Sequence, residues 1–330
     1  NMFDSLCTAI LTIIISTIFS FSFGPFVQRI GMKFNIIDIP NIRKIHTKPI
    51  VRIGGVCIFL TFILYFLSIR IFLDFALLNK DVLQGLNTIF IGAFLFFIIG
   101  IHDDIYKSSP LFRLGFQFAI AFFVSINGIN INSINFYFPY FGNINFELPL
   151  IIRYIISSFW IVGITNSINW LDGIDGLAAG YSSIISISLC SLMIFNGNII
   201  GVLFFSILFG STFGFLIRNI KPAFFIMGDC GSNFLGFSLA TSSLLFLNYS
   251  GSFSNNNILY LMFIFSLPIL DMTIVILNRL LSGKNIFLPD KSHIHHRLMQ
   301  LNFGYKKIIF LLYFYSFFSA LIGISLIQNA

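Results

Sequence analysis

Apolar runs long enough to cross a membrane recur along almost the whole of this chain. Hydrophobic residues make up 57% of the sequence and charged residues only 9%, a balance far from that of a soluble globular domain. A stretch of roughly 18 or more apolar residues is what an α-helix needs to span the hydrocarbon core of a bilayer. Because that core holds no water, each span must satisfy its backbone hydrogen bonds internally. The sequence therefore predicts an all-α polytopic integral membrane protein.

We expect about ten transmembrane helices in one transmembrane domain that covers residues 1–330. The predicted spans are 9–28, 53–73, 83–101, 112–128, 149–164, 177–196, 199–217, 233–250, 257–278 and 308–327. No repeat of fixed period is visible in the sequence. The first apolar run is expected to stay as a span, because no basic segment precedes it and no small-residue cleavage motif follows it. The four cysteines lie far apart and mostly in apolar runs, which predicts buried thiols rather than disulfides or a zinc site.

The charges are concentrated in alternate loops. Sixteen of the nineteen Lys and Arg residues and all five histidines lie in or directly beside five loops, at 29–52, 102–111, 165–176, 218–232 and 279–307. The positive-inside rule then places these five loops in the cytoplasm and both termini outside. The net charge of +7 is thus largely a topological signal. It still leaves a basic cytoplasmic surface that suits a phosphate-rich ligand.

The third of these loops combines two carboxylates, two amides and two glycines between two apolar runs. Asn169, Asp172 and Asp175 are spaced by three residues, so on a helical turn they would share one face. Such a group of oxygen donors suits a hard cation such as Mg²⁺, or a hydroxylated substrate. A polar turn that caps two helices, with Asp as N-cap and Gly as C-cap, explains the same residues. This stretch alone leaves the two interpretations about even.

Two further acidic motifs stand at predicted span ends. Asp103 and Asp104 are adjacent after the third span, where like charges repel each other unless a cation or an acid–base role requires them. One of them could orient a metal while the other accepts a proton. An exposed acidic turn is the alternative. Asp229, flanked by glycines before the eighth span, is either a helix N-cap or a metal ligand.

Basic residues dominate the first and the last of the five loops. The first loop carries Arg43, Lys44, His46, Lys48 and Arg52, and by itself it favours an ordinary stop-transfer loop over a phosphate clamp.

The last loop contains three histidines and an arginine in five residues, from His293 to Arg297. An anion-binding face beside phosphates explains this segment better than zinc, which would need more ligands. Asp271 lies inside the ninth predicted span, after Pro268, and we expect it to be neutral or paired with a polar neighbour.

These five polar clusters converge on one membrane face. Carboxylates that hold Mg²⁺, cations that hold phosphates and an apolar body beside them fit one chemistry well. In it, a lipid phosphate attacks a nucleotide-activated donor at the membrane surface.

Four segments together resemble the signature motifs of the polyprenyl-phosphate N-acetylhexosamine-1-phosphate transferases, in glycosyltransferase family 4. They are His102–Asp104, Asn166–Leu177, Met227–Ser232 and His293–Arg297. The Ile between the histidines of the last segment, with Arg43-Lys44-Ile45-His46 upstream, is most similar to the WecA-like branch. That branch transfers GlcNAc-1-phosphate to undecaprenyl phosphate, whereas the phospho-MurNAc-pentapeptide branch usually shows three consecutive histidines. The resemblance runs from about residue 38 to residue 304.

The resemblance implies a role for each acidic position. Asp103 would deprotonate or orient the lipid phosphate, with Asp104 as its acidic partner near the metal. Asn169 and Asp229 match the family's Mg²⁺ ligands, and Mn²⁺ is an alternative. Asp172 would lie by the donor's diphosphate and sugar. The remaining acidic position, Asp175, would contact uracil.

The basic positions complete the implied site. Arg113 matches a diphosphate-binding cation, and Lys44 and His46 would bind substrate. The segment His293, His295, His296 and Arg297 would engage the pyrophosphate and the sugar, with His293 in a catalytic role. Direct attack by the lipid phosphate is favoured over a phospho-enzyme, because it needs only a base, a metal and cations.

The predicted protein is a multi-pass enzyme of the bacterial cytoplasmic (inner) membrane that makes undecaprenyl-diphospho-N-acetylhexosamine and releases UMP. It would begin a cell-envelope glycan such as lipopolysaccharide or O-antigen. Its partners would be a UDP-N-acetylhexosamine, undecaprenyl phosphate and the bilayer, with no nucleic acid and a possible second copy in a homodimer. Another UDP-HexNAc or UDP-MurNAc-pentapeptide as donor, an anion or proton-coupled transporter, and a non-catalytic scaffold are the alternatives.

Overall fold

A computed structural model describes residues 2–38, 49–72, 80–138, 142–249, 258–285 and 292–328. In these ranges the chain forms twelve helices, which we number α1 to α12 in chain order. Their bounds are Met2–Lys33, Gly55–Phe72, Lys80–Tyr106, Pro110–Ile126, Leu150–Leu171, Leu177–Phe195, Ile199–Asn219, Gly228–Tyr249, Ile258–Ile264, Ser266–Leu281, Ile294–Gln300 and Tyr305–Gln328. The predicted roles of Lys44 and His46 lie outside the described residues.

The helices confirm the polytopic all-α membrane architecture. Six of the described helices are long and apolar enough to cross a membrane, and a bent pair would make a seventh. All ten predicted spans fall on helices. The ninth prediction was wrong in one respect, because 257–278 is not one continuous helix: α9 and α10 meet at an angle of 86°. Pro268 lies in the first turn of α10, where its missing N–H is tolerated, whereas it would interrupt a continuous helix.

Two antiparallel hairpins accompany the helices. Ile37–Asp38 (β1) pairs with Ile50–Val51 (β2), and Ser133–Phe138 (β3) pairs with Gly142–Glu147 (β4). The strands of the second hairpin were not predicted. Their signal is nevertheless present, because Ile and Phe alternate with Asn and Ser in both strands, which is the period of a strand.

Helix α8 packs against α3 and α5, the two helices that carry the predicted acidic and amide residues. Glycines permit these close contacts. A side chain at Gly100 of α3 would overlap the backbone of α8 at Cys230, and one at Gly236 of α8 would meet the backbone of α5 at Thr165. Segments 60 or more residues apart in sequence are thereby brought together at one end of this three-helix group.

Buried amides join the same region. Asn166 of α5 donates to Gln117 Oε1 of α4 at 2.7 Å, and Gln117 donates to Asn233 Oδ1 of α8 at 3.3 Å. These three side chains lie three or four residues, about one helical turn, from Arg113, Asn169 and Asp229 on their respective helices. Hydrogen bonds between apolar helices therefore hold the functional ends of α4, α5 and α8 in fixed relation.

Candidate active site

Asp104, in the last turns of α3, caps the start of α8. Its carboxylate accepts the backbone N–H of Asp229 at 3.0 Å and that of Cys230 at 2.9 Å. The first N–H groups of a helix have no partner within the helix, and a carboxylate stabilises them by charge as well as by hydrogen bonding. The residue that caps α8 therefore comes from another helix, and Asp229 itself is free to project its carboxylate elsewhere.

Arg52 bridges two of the predicted carboxylates. Its Nε donates to Asp104 Oδ1 and its Nη2 donates to Asp229 Oδ2, both at 2.9 Å. Burial alone would lower the pKa of this guanidinium, but Asp229 and Asp104 outweigh burial and raise it. Arg52 therefore remains a cation between two anions.

The backbone on both sides of Arg52 explains its position. The residue follows β2, and this strand continues beside the segment that leads into α8: Ile226 N–H donates to Val51 at 2.8 Å and Gly54 N–H donates to Ile226 at 2.9 Å. The pairing carries Arg52 to the start of α8. Arg52 was not among the predicted site residues, because in the sequence it is only one cation of a basic loop.

Asp229 and Asp103 form the centre of the acidic cluster. Asn169, in the last turn of α5, donates to Asp229 Oδ1 and to Ser232 Oγ, the latter at 2.8 Å. Asp103 accepts from Arg113 Nη1 at 2.7 Å, and its carboxyl lies beside that of Asp229. The other Asp103 oxygen, Oδ1, is buried without a hydrogen-bond donor in the part of the chain that the structure describes.

The structure thus brings five predicted site residues into one cluster: Asp103, Asp104, Arg113, Asn169 and Asp229. They come from α3, α4, α5 and α8. Every carboxylate oxygen of the three aspartates, apart from Oδ1 of Asp103, accepts a hydrogen bond from an arginine, an amide or a backbone N–H.

Asn169, Asp172 and Asp175 do not share the one helical face that their spacing predicts. The helix ends at Leu171, so Asn169 lies in the helix, Asp172 is its C-cap and Asp175 lies in the following turn. The expected capping roles are also reversed, because Gly176 is the N-cap of α6. The backbone φ of +78° at residue 176 explains why glycine occupies this N-cap, since a positive φ suits glycine and not the residues usual at N-caps.

Two tyrosines of α12 hold this turn. Tyr305 donates its hydroxyl to the carbonyl of Asp175 at 2.7 Å, and Tyr313 donates to that of Gly176 at 2.5 Å. On the other side, Gly176 N–H donates to Asn219 Oδ1 of α7 at 2.9 Å. Neither tyrosine was predicted as a site residue, because Tyr313 lies in the apolar last span, Tyr305 lies just before it, and nothing in the sequence distinguishes them from other aromatic residues at a membrane helix.

A cavity of about 920 Å³ connects these two groups of residues. Residues that line it include Arg52, Asn169, Asp172, Asp175, Lys221, Phe224, Asp229, His296 and Tyr305. This volume is at the upper end of the usual range for small-molecule sites. Burial raises the pKa of Asp172 well above its usual value, and the nearby Asp229 raises it further.

The histidine segment lies against the turn. His296 lines the cavity, whereas the ring of His293 contacts Asp271 through Nδ1 at 2.8 Å. The expected polar partner of Asp271 is thereby confirmed. Arg297 donates from Nε to the carbonyl of Ser292 at 2.6 Å.

His295 is the buried member of the segment. The imidazole of His295 packs against Gly173, and any side chain added at residue 173 would overlap this imidazole. Burial, together with His296 and His293, lowers its pKa to about 3, so the ring is neutral. Among the described residues neither of its ring nitrogens has a hydrogen-bond partner. A neutral ring in this place is not a cationic phosphate ligand, and its predicted contact with substrate stays a prediction.

Comparison with known proteins decides the family. Residues 86–247 match the family model described as glycosyl transferase family 4. The chain is also 35% identical over 319 residues to a Bacillus subtilis protein named as a probable undecaprenyl-phosphate N-acetylglucosaminyl 1-phosphate transferase. That match covers 96% of this chain and 83% of the relative. The chain belongs to glycosyl transferase family 4. The family predicted from the four motifs is therefore confirmed.

Two other relatives carry names for two different transferase activities. An undecaprenyl-phosphate α-N-acetylglucosaminyl 1-phosphate transferase of Thermotoga maritima is 28% identical, over 93% of this chain and 88% of that protein. A phospho-N-acetylmuramoyl-pentapeptide-transferase of Staphylococcus saprophyticus is 31% identical, over 82% of this chain and 83% of that protein. The printed names of these relatives differ in the sugar that they specify.

Proposed function

We propose that this protein transfers GlcNAc-1-phosphate from UDP-GlcNAc to undecaprenyl phosphate and releases UMP. The observation that carries the proposal is the cavity lined by Asn169, Asp172 and Asp229, with Arg52 at its wall and the Asp103–Arg113 pair beside it. The names of the Bacillus and Thermotoga relatives support the choice of donor and acceptor.

In the proposed reaction, an oxygen of the lipid phosphate attacks the β-phosphorus of the UDP-sugar. A new P–O bond forms to the lipid phosphate, the bridging P–O bond to the α-phosphate breaks, and UMP leaves with the electron pair. Asp103 would orient the lipid phosphate or accept its proton, and the Arg113 guanidinium keeps this carboxylate in place. Arg52, Asp175 and His296 line the cavity where the donor would bind. We favour direct attack over a covalent phospho-enzyme.

A divalent cation, Mg²⁺ or Mn²⁺, fits the acidic cluster. The buried Oδ1 of Asp103 needs a positive partner, and the carboxyl of Asp229 lies beside it. Within the described ranges, no three His, Cys, Asp or Glu side chains are arranged to hold a metal by themselves. Mg²⁺ is commonly bound by one or two carboxylates together with substrate phosphates, so this donor set is the usual kind. Asp103, Asp229 and Asn169 would hold the ion, which would neutralise charge on the diphosphate.

The proposed topology has ten spans, both termini outside and the site at the cytoplasmic face of the bacterial inner membrane. Its support is the clustering of sixteen of the nineteen Lys and Arg residues beside the five loops that also carry the site.

Two alternatives differ in the evidence that favours them. Transfer from UDP-MurNAc-pentapeptide has the Staphylococcus relative in its favour, whereas the His293–Arg297 segment with its interrupting Ile294 counts against it. Family membership counts against a transporter.

The proposal is tested by UMP release from the purified full-length chain. The assay supplies undecaprenyl phosphate, Mg²⁺ and, in separate reactions, UDP-GlcNAc, UDP-GalNAc and UDP-MurNAc-pentapeptide. Asp229→Ala should abolish release, whereas Glu147→Gln, which alters an exposed carboxylate in the hairpin at the other end of α5, should not. UMP release with UDP-GlcNAc alone supports the proposal. Release with a different UDP-sugar keeps the reaction type but identifies that sugar as the donor. If folded protein releases no UMP with any donor, the proposal is overturned.

A further inference from the structure

Asp271 is a buried acid to which the proposed reaction assigns no role. It lies in α10, its residue is 3% exposed, and it uses both carboxylate oxygens. Oδ2 lies 2.8 Å from His293 Nδ1, and Oδ1 accepts the backbone N–H of Ile294 at 2.6 Å. One carboxylate therefore contacts both the ring of His293 and the first residue of α11.

This contact determines where His293 carries a proton. An imidazole is a stronger base than a carboxylate, so the proton shared by the two groups belongs to Nδ1. This holds whether the ring is neutral or charged. The atom of His293 that remains for another partner is Nε2.

Neighbouring rings fix the plane of the imidazole. The indole of Trp170 stands at 78° to it with ring centres 5.4 Å apart, and the ring of His295 is parallel to it at 5.8 Å. Trp170 follows Asn169 directly, and the guanidinium of Arg279 lies 5.4 Å from its ring. The ring of His293 is thus held both by an acid and by the helix that carries an acidic-cluster residue.

We propose that Asp271 is a positioning residue of the transferase. It holds His293 in the tautomer with the proton on Nδ1, so that the lone pair of Nε2 is free to accept a hydrogen bond or a proton from a protonated phosphate group of the substrates. The inference rests on the proposed function. Histidines that bind metals show the same arrangement: one ring nitrogen donates its N–H to a carboxylate, and the other nitrogen is thereby left to bind the metal.

Asp271→Asn separates this role from a simple structural one. The amide has a single acceptor oxygen for two N–H groups. If that oxygen keeps the bond to Ile294 N–H, the NH₂ group faces His293 Nδ1 and forces the proton to Nε2. The variant thus preserves the shape and the anchor of α11 but reverses the tautomer. Asp271→Glu keeps both acceptor oxygens.

The first test is a double-mutant cycle on UMP release by the full-length protein. Asp271→Asn should lower kcat about 10- to 100-fold with KM for the UDP-sugar changed less than about twofold, and Asp271→Glu should recover most of that loss. In a His293→Ala background, Asp271→Asn should cause no further loss, because the residue acts through the ring. Independent losses that multiply would overturn the proposal.

The second test does not depend on activity. ¹⁵N-histidine NMR of the full-length protein has only five histidines to resolve, and His293→Gln assigns the signal of interest. The wild type should show a protonated Nδ1 at His293, and Asp271→Asn should move the proton to Nε2. A wild-type ring protonated only at Nε2 overturns the inference, even in an active enzyme. A wild type with the expected tautomer but no transferase activity would instead refute the proposed function.

Discussion

Replacing Arg52 by methionine tests whether this residue organises the acidic cluster. The guanidinium makes two charge-assisted hydrogen bonds of 2.9 Å to Asp104 and Asp229, whose side chains are 0% and 13% exposed. Bonds to charged groups contribute roughly 1.5–3 kcal/mol each. Since the side chain of Arg52 is itself 30% exposed, we take the lower end, about 3 kcal/mol for the pair.

A loss of this size has two measurable consequences. Tm in detergent should fall by about 6 °C, at roughly 2 °C per kcal/mol for a chain of this length. If the same energy is lost from the transition state, kcat/KM should fall about 100-fold. Arg52→Lys keeps one charge but cannot span both carboxylates, so it should show about half of the Tm loss.

Arg218→Met is the matched control for Arg52→Met. Its guanidinium donates to the carbonyl of Phe21 at 3.1 Å and lies 4.0 Å from that residue's ring, so its removal changes the net charge equally but not the acidic cluster. The reasoning is refuted if Arg52→Met loses no more stability or kcat/KM than Arg218→Met.

Three further changes follow from the turn between α5 and α6. Tyr305→Phe removes the hydroxyl that bonds the carbonyl of Asp175, and a loss of about 1 kcal/mol should appear as a several-fold higher KM for the UDP-sugar; an unchanged KM would contradict this. Gly173→Ala places a methyl group into the ring of His295, and overpacking of about 1–3 kcal/mol should lower Tm and kcat together. The raised pKa of Asp172 means that the folded state binds its proton more tightly than the unfolded state, so stability falls as pH rises from the unfolded pKa through the folded one. Asp172→Asn should therefore raise Tm at pH 8 more than at pH 5, and an equal effect at both values would show that Asp172 ionises normally.

Most of the helical architecture is predictable because its cause is local. An apolar run of this length favours a helix through its own composition, so the predicted spans fall on helices, of which six are long and apolar enough to cross a membrane and a bent pair would make a seventh. The break between α9 and α10 is different. Pro268 marks a place where a helix can end, but whether the chain kinks slightly or turns by 86° depends on what packs around it.

The acidic cluster was predictable residue by residue but not as a structure. Asp103, Asn169 and Asp229 stand out because charge and amide groups are rare in an apolar chain. Their mutual contacts are not visible in the sequence, since the pairs are separated by 60 residues or more. Arg52 shows the limit best, because a basic loop after a membrane span is the default in any such protein.

The sequence by itself determined the membrane class and the family, and it singled out the acidic residues of the candidate site, because hydropathy and motif chemistry are properties of contiguous residues. Only the tertiary structure decided which groups neutralise one another. Asp104 caps α8, Arg52 bridges Asp104 and Asp229, and Asp271 holds His293. Each of these pairings depends on two segments meeting after the helices have packed, because a hydrogen bond forms only at contact distance and the attraction between charges grows as they approach.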